Sequence, residues 1–301
     1  MKRTIVLMLL LLFSALTLSG ETTITLKQSL KWFVDRKIQS RKERMYTLDE
    51  LRNTKKFYLA DFTITDDELI NLTPLKKIEV LYLDSNRITD EGLKHLGELP
   101  RLTALSLCDN DITGSGLSHL IALQYLEELN LSSTKLRDEH MHYIGRMKNL
   151  KMLDINGTAV TDRGIAPIGQ LADLRELNLV RGLTKEGLSR IAGCTDLQKL
   201  RLWGKGITDD ALVHLRGFTR LTYLSIGYSS ITDRGLASLA PLVNLEELVV
   251  RDAALTDSGL VHLEALSNLR YVGLFETKVT EKGVAMLREA IPGLRVLCHP
   301  D

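Results

Sequence analysis

An apolar pair, Leu81 and Leu83, returns along this chain at a fixed interval. The equivalent of Leu81 falls at Leu105, Leu129, Leu153, Leu177, Leu200, Leu224, Leu248, Val272 and Val296. Every step is 24 residues except Leu177 to Leu200, which is 23. The missing residue lies between Leu179 and Leu183. Phe57 and Leu59 begin an earlier, weaker unit. Within each pair the apolar residues alternate with a polar one, the period of a short strand. Leu93, Leu96 and Leu99 follow at helical spacing. A unit this short cannot bury its own apolar face. Its repetition therefore predicts a solenoid in which each coil packs on its neighbours. Equivalent strands then lie about 4.8 Å apart in one parallel sheet. Chirality places the helical segments on the outside of a right-handed coil.

The turn into each helix repeats as well. Ile64, Ile88, Ile112, Leu136, Val160, Leu183, Ile207, Ile231, Leu255 and Val279 are expected to point inward. Thr follows each of them except Leu136, where Arg137 stands. Asp comes next at 66, 90, 138, 162, 209, 233 and 257. Either side chain can accept from the free amides at a helix start, and the acid favours the positive end of the helix dipole. The Gly at 92, 116, 164, 187, 235, 259 and 283 is expected to let helix and turn pack closely.

The stretches IEVLYLDSN (78–86) and LTALSLCDN (102–110) have the frame LxxLxLxxN. With ITDEGLKHL behind it, this frame resembles bacterial leucine-rich repeat proteins and F-box-type leucine-rich repeat arrays. The resemblance covers residues 57–298, about ten units, and the array is read as residues 57–301. It implies an α/β horseshoe with a parallel sheet on the concave face and helices on the convex face. One column departs. The family places Asn or Cys there to bond neighbouring backbones. Asn86 and Asn110 fit, but Thr134, Thr158, Gly182, Lys205, Ser229, Ala253 and Thr277 follow. A hydroxyl replaces the amide only in part, so a looser ladder is expected near the middle.

Residues 1–20 read as a secretory signal peptide. Lys2 and Arg3 precede an apolar run at 4–13, and Ser19-Gly20 offers small residues for cleavage. The reading makes the chain exported, to a periplasm, cell envelope or medium. Residues 21–56 read as an N-terminal helical cap. Leu30, Trp32, Phe33 and Ile38 form one apolar face, and Thr47 to Glu50 has capping-box spacing. A second reading of this segment is a membrane-surface helix, from Lys31, Arg36, Lys37, Arg41, Lys42 and Arg44.

The net charge of +1 gives no electrostatic case for nucleic-acid binding. Three cysteines on distant repeats, Cys108, Cys194 and Cys298, predict no disulfide framework. Cys194 is expected on the outer side. His95, His119, His214 and His262 share one repeat position, as repeat copying produces. His140 and His142, two apart, point to different sides of a helix. No metal site, cofactor or catalytic set is expected, and the chain reads as a non-enzyme.

The residues flanking each apolar pair face out of the sheet. In the N-terminal half they are small, polar and acidic: Tyr82, Asp84, Ser106, Glu128, Asn130 and Asp154 among them. In the C-terminal half they become Arg201, Trp203, Tyr223, Tyr228, Glu247, Arg251, Tyr271 and Phe275, and all but Glu247 are candidate partner-binding residues. Aromatics are only 5% of the chain, so their gathering on one face is informative. Trp, Tyr and Arg carry most interface energy. The expected function is capture of a partner protein on the concave face, centred on Trp203, Tyr228 and Arg251. The alternatives are a glycan or cell-wall binding module and a secreted effector acting on a host ubiquitin-ligase adaptor.

Overall fold

The computed structural model describes residues 25–36, 38 and 46–299. The signal-peptide reading of residues 1–20 lies outside them, as do Lys37, Arg41, Lys42 and Arg44. Two helices come first, α1 (Leu26–Asp35) and α2 (Leu48–Asn53), each opened by a Thr capping box, at Thr25 and Thr47. Eleven parallel strands follow in chain order as a single sheet. They are β1 (Lys56–Tyr58), β2 (Val80–Tyr82), β3 (Ala104–Ser106), β4 (Glu128–Asn130), β5 (Met152–Asp154) and β6 (Glu176–Arg181). The longer set continues with β7 (Lys199–Trp203), β8 (Tyr223–Gly227), β9 (Glu247–Arg251), β10 (Tyr271–Phe275) and β11 (Arg295–His299).

The register is the one the repeat spacing dictates. Phe57 pairs with Leu81, Leu81 with Leu105, and so on to Val272 with Val296. The inward turn residues from Ile64 to Val279 are all buried, so each coil contributes the same apolar set to one continuous core. The shortened step leaves its mark where the count placed it. The pairing of β6 with β7 shifts between Asn178 and Arg181, so that Arg181 comes to lie opposite Trp203. Gly182 and Gly204, with φ of 92° and 117°, turn the chain there.

The convex side departs from the expectation of ordinary helices. Much of it is 3₁₀ helix, as at Asp66–Leu72, Ser115–Ala122 and Ala166–Gln170, with regular α-helix at Lys185–Arg190 and Glu281–Ala290. Leucines three apart match three residues per turn, so each one returns to the inward side of a 3₁₀ coil.

At the first coil, α1 directs Trp32 and Phe33 into the core, and Phe33 packs on Phe57 with ring centroids 5.4 Å apart. Arg36 donates from Nε to Glu68 Oε1 at 2.8 Å and from Nη1 to the Phe62 carbonyl at 2.8 Å. The apolar face of α1 and the charge of Arg36 are thus both engaged by the array. This corrects the membrane-surface reading for the described part of the segment.

The Asp column also differs from its expected role. Thr is the cap residue: its side chain accepts from the helix amide at Thr89, Thr184, Thr256 and Thr280. Asp instead reaches the following coil. Asp233 Oδ1 accepts from the Thr256 amide at 2.7 Å and its Oδ2 from the Thr256 hydroxyl at 2.6 Å. The same pair of bonds joins Asp66 to Thr89, Asp138 to Thr161, Asp162 to Thr184, Asp209 to Thr232 and Asp257 to Thr280. Asp90 bonds Thr113 likewise, through Oδ2, and uses Oδ1 for the Gly114 and Gly116 amides. The Gly column follows from this link. A Cβ at Gly92, Gly164, Gly187, Gly235, Gly259 or Gly283 would overlap the carboxylate of the preceding coil. Where the acid is absent the glycine is absent too. Gly114 is followed by Arg137 and His140, and Lys185 by Thr208 and Ala211.

The second ladder is short. Asn86 donates to the Leu59 carbonyl of the preceding coil at 2.8 Å and accepts from the Ile64 amide at 2.8 Å. Asn110 repeats this one coil on. Thr134 and Thr158 bond only carbonyls of their own coil, Leu131 and Ile155. Cys194 is buried in the core rather than on the outer side. Its Sγ donates to the Ile168 carbonyl, and burial pushes its thiol up to about 11.

Two outcomes follow from the Asp–Thr–Gly link. Lys185→Asp combined with Ala211→Gly should raise stability by about 1 kcal/mol, seen as roughly 2–4 °C in a thermal melt. Lys185→Asp alone should gain less, because the Ala211 methyl occupies the place of the carboxylate. Additive single effects in this double-mutant cycle would refute the link. The second outcome concerns acid. Burial pushes the Asp90 carboxyl up, but hydrogen bonds from Thr113, Gly116 and Gly114 outweigh it and hold the group low. Bonds from the Thr280 amide and hydroxyl hold Asp257 low as well. A pKa lowered by folding stabilises above the unfolded value of about 3.9 and is lost as pH falls through the folded value. Melting temperature should therefore fall below about pH 4. Asp90→Asn and Asp257→Asn should each flatten that fall.

Candidate binding face

The concave sheet surface carries two chemically different halves. On β2 to β5 the outward side chains bond one another across strands. Ser106 Oγ donates to Asp84, and Asn130 Nδ2 donates to Ser106 Oγ at 3.0 Å. Asn178 Nδ2 donates to Asp154 Oδ2 at 2.8 Å. At the first coils Tyr58 and Tyr82 stack with centroids 5.1 Å apart. This half is polar and largely occupied with itself.

From β6 onward arginines meet aromatic rings. Arg201 on β7 lies 4.9 Å from the centroid of Tyr223 on β8. Arg251 on β9 lies 5.0 Å from Phe275 on β10, and Arg295 on β11 lies 5.9 Å from Tyr271 on β10. Arg181, at the end of β6, lies 5.7 Å from the ring of Tyr228. In three of these pairs an odd-numbered strand supplies the guanidinium and an even-numbered strand the ring, and Trp203 on β7 stands outside that pattern. Trp203 and Tyr228 adjoin at 5.9 Å, tilted by 32°. The Trp203 ring lies across Gly227, its register partner on β8, where a Cβ would overlap the ring.

The expected residues Arg201, Trp203, Tyr223, Arg251, Tyr271 and Phe275 thus share one surface. Tyr228 requires a correction. It is not on a strand but one residue beyond β8, with φ of 52°. Ser85, Asp109, Ser133, Asp252 and Glu276 hold the same kind of left-handed corner elsewhere. The corner tips the tyrosine outward, and it is 41% exposed. Arg181 and Arg295 were missed. For Arg295 the signal was Tyr271 one strand away, whereas Arg181 lies two strands from Tyr228. For Arg181 the missing residue hid the alignment.

Ion pairs run through this half. Lys199 meets Glu176 at 2.6 Å, Lys205 meets Asp252 at 3.0 Å and Arg251 meets Glu276 at 3.7 Å. Arg181 and Arg201 have no carboxylate within 4 Å among the described residues. On the other side of the array a polar hollow is lined by Asp66, Asp67, Arg87, Glu91, Lys94 and His95. Its Asp66 is already held by Thr89. Burial lowers the His95 pKa, which favours the neutral ring. No group of three or more His, Cys, Asp or Glu placed to hold a metal occurs among the described residues.

Family models described as leucine rich repeat match residues 100–160, and residues 75–97 and 219–240. The matched segments fall on coils whose strands pair in one register with the rest of the sheet. The chain is a leucine-rich repeat protein. Among solved structures, this repeat protein is similar to a leucine-rich repeat protein of Leptospira interrogans, at 22% identity and a TM-score of 0.57. The match covers 75% of this chain and 56% of that one. A TDR receptor matches at 17% identity with a TM-score of 0.51, over 81% of this chain and 42% of that one. Both share the fold. Internalin C2 of Listeria monocytogenes matches at 25% identity and a TM-score of 0.47, over 78% of this chain and 84% of that one. No curated protein matches the repeat protein in sequence.

The chain has two tryptophans, Trp32 and Trp203, so Trp32→Phe leaves Trp203 as the sole reporter of this face. In that background Gly227→Ala should lift the ring from the sheet, red-shift its emission and increase its quenching by acrylamide. The fold should persist, at a cost of about 1–3 kcal/mol for the overpacked position. Unchanged emission would mean that the ring does not rest on Gly227.

Proposed function

We propose that this leucine-rich repeat protein is an exported, non-enzymatic binding protein whose concave face holds a partner protein. The signal-like residues 1–20 support export. Among the described residues no helix is long and apolar enough to cross a membrane. Residues 21–56 serve as the cap and 57–301 as the binding array. The partner site is Arg201, Trp203, Tyr223, Tyr228, Arg251, Tyr271 and Phe275, joined by Arg181 and Arg295.

The observation that carries this reading is the set of rings held by guanidiniums on neighbouring strands. A large side chain on a surface normally loses rotamer freedom when a partner arrives. Here the rings are already positioned against an arginine or a glycine of the array. Such preorganised Trp, Tyr and Arg groups are the usual anchors of protein interfaces. The guanidiniums that take up ring faces leave less of them for stacking on sugars, which favours a protein partner over a glycan.

Crosslinking capture with the tagged chain in extracts of its source cells tests the reading. Trp203→Ala with Tyr228→Ala should weaken capture of a specific partner at least about tenfold. Melting should stay within about 1 kcal/mol of wild type. Equal capture by both proteins would move the site elsewhere. A large loss of stability would make the rings packing residues. The same fractions test export, since a cytosolic chain that keeps residues 1–20 would overturn it.

A further inference from the structure

We infer that the partner docks on the C-terminal half of the concave face through a protein segment bearing separated carboxylates with apolar or aromatic side chains between them. The inference rests on the partner-binding reading above and specifies its chemistry.

The concave surface changes sign along its length. The outward positions of β2 to β5 hold Asp84, Glu128 and Asp154 and no Lys or Arg. Arg181, Lys199, Arg201, Arg251 and Arg295 all follow. An acidic segment is therefore repelled from one half and attracted to the other.

The guanidiniums are arranged to receive carboxylates. A guanidinium lying on a ring keeps its N–H edge free, and that edge matches a carboxylate with two parallel bonds. Arg201 rests on Tyr223 and Arg181 on Tyr228, with no carboxylate of the described chain within 4 Å of either. Arg251 has only Glu276, at 3.7 Å, longer than a good charged hydrogen bond.

The spacing excludes a continuous polyanion. Arg201, Arg251 and Arg295 stand on alternate strands, with Arg251 two residues along from the level of Arg201 and Arg295 four residues back from that of Arg251, so successive backbones are about 12 and 16 Å apart. Tyr223 and Tyr271 lie on the strands between, and Val249 follows on β9. Glu247 and Glu276 are exposed on the same half. A nucleic acid or sulfated glycan carries closely spaced charge, and these carboxylates would meet it with repulsion. An extended chain rises about 3.3 Å per residue, so acids about four to five residues apart match the spacing of the arginines. The residues between them then lie on the rings.

Selection of a random twelve-residue peptide library on the full chain tests this. Wild type should enrich peptides that combine Asp or Glu with Trp, Tyr, Phe or Leu. A synthetic enriched peptide should bind at least tenfold more weakly to Arg201→Gln/Arg251→Gln. Its affinity should also fall with added salt, and its Lys-for-acid counterpart should not bind. Circular dichroism melts confirm that the variant is folded. Enrichment without acidic bias, or equal binding by the variant, overturns the inference. So does displacement of the peptide by a heparin fragment or a single-stranded oligonucleotide at lower concentration than by free peptide. If partner capture still depends on Trp203 and Tyr228 while acidic peptides fail, the partner reading stands and the carboxylate chemistry falls. If capture is indifferent to those rings, both fall.

Discussion

A carboxylate that reaches from one coil to the next sets the geometry of this array. Apolar stacking holds neighbouring coils together, but it is non-directional and tolerates small rotations. The Asp–Thr link is directional. Two carboxylate oxygens accept from the amide and the hydroxyl of one threonine, as Asp233 does from Thr256. That fixes both the spacing and the rotation of the next turn. The threonine in turn caps its own short helix, so the entrance to each helix is tied to the coil before it. Glycine then becomes obligatory two residues beyond the next Asp, because the carboxylate fills the place of a side chain.

The exceptions strengthen this account. At Gly114 the acid is missing, and the next coil has lost both Thr, at Arg137, and Gly, at His140. The His140 Cβ now sits beside Gly114, in space the carboxylate takes elsewhere. At Lys185 the acid is missing again, and Ala211 stands at the glycine position. The Asp and Gly columns thus vary together in both cases, while Thr is lost at Arg137 and kept at Thr208. Independent preferences for capping residues and small residues would not make them vary together.

Much of the fold was legible because burial imposes a fixed period. The strand register, the inward turn residues and the place of the shortened step were all readable from leucine positions. What escaped reading was whatever crosses between coils. Capping rules describe one helix at a time, so Thr and Asp could not be told apart until Asp66 was seen against Thr89. Leucines at intervals of three suit a 3₁₀ turn, as at Leu117 and Leu120, yet Leu93 and Leu96 share that interval on a turn of α-helix, so the spacing alone did not tell the two apart. Tyr228 was placed on a strand because alternation has no end mark. The backbone leaves the sheet at Gly227, and the left-handed corner aims the tyrosine by a different rule. The pairing of Arg201 with Tyr223 and Arg295 with Tyr271 is a property of adjacent strands, visible only when the units are laid one beneath another.

The irregularities of the array gather at a single junction, and that junction is also where its surface changes. Between β6 and β7 one residue is missing, the pairing shifts, and two glycines take left-handed backbone. The Asn column, which reaches back one coil, holds Lys205 here, and the Asp column, which reaches forward, holds Lys185. Neither of these two side-chain ladders therefore ties coil to coil at that step, where backbone pairing, apolar packing and the Lys199–Glu176 ion pair remain. The polar, self-bonded half of the concave face ends here and the arginine–aromatic half begins. The register shift is what brings Arg181 opposite Trp203, since the 23-residue register of Asn178 with Arg201 would place Val180 there. The loss of regularity and the gain of a cation beside the rings are thus one event in the chain. The repeat gives up directional bonds at the point where it acquires its most distinctive surface.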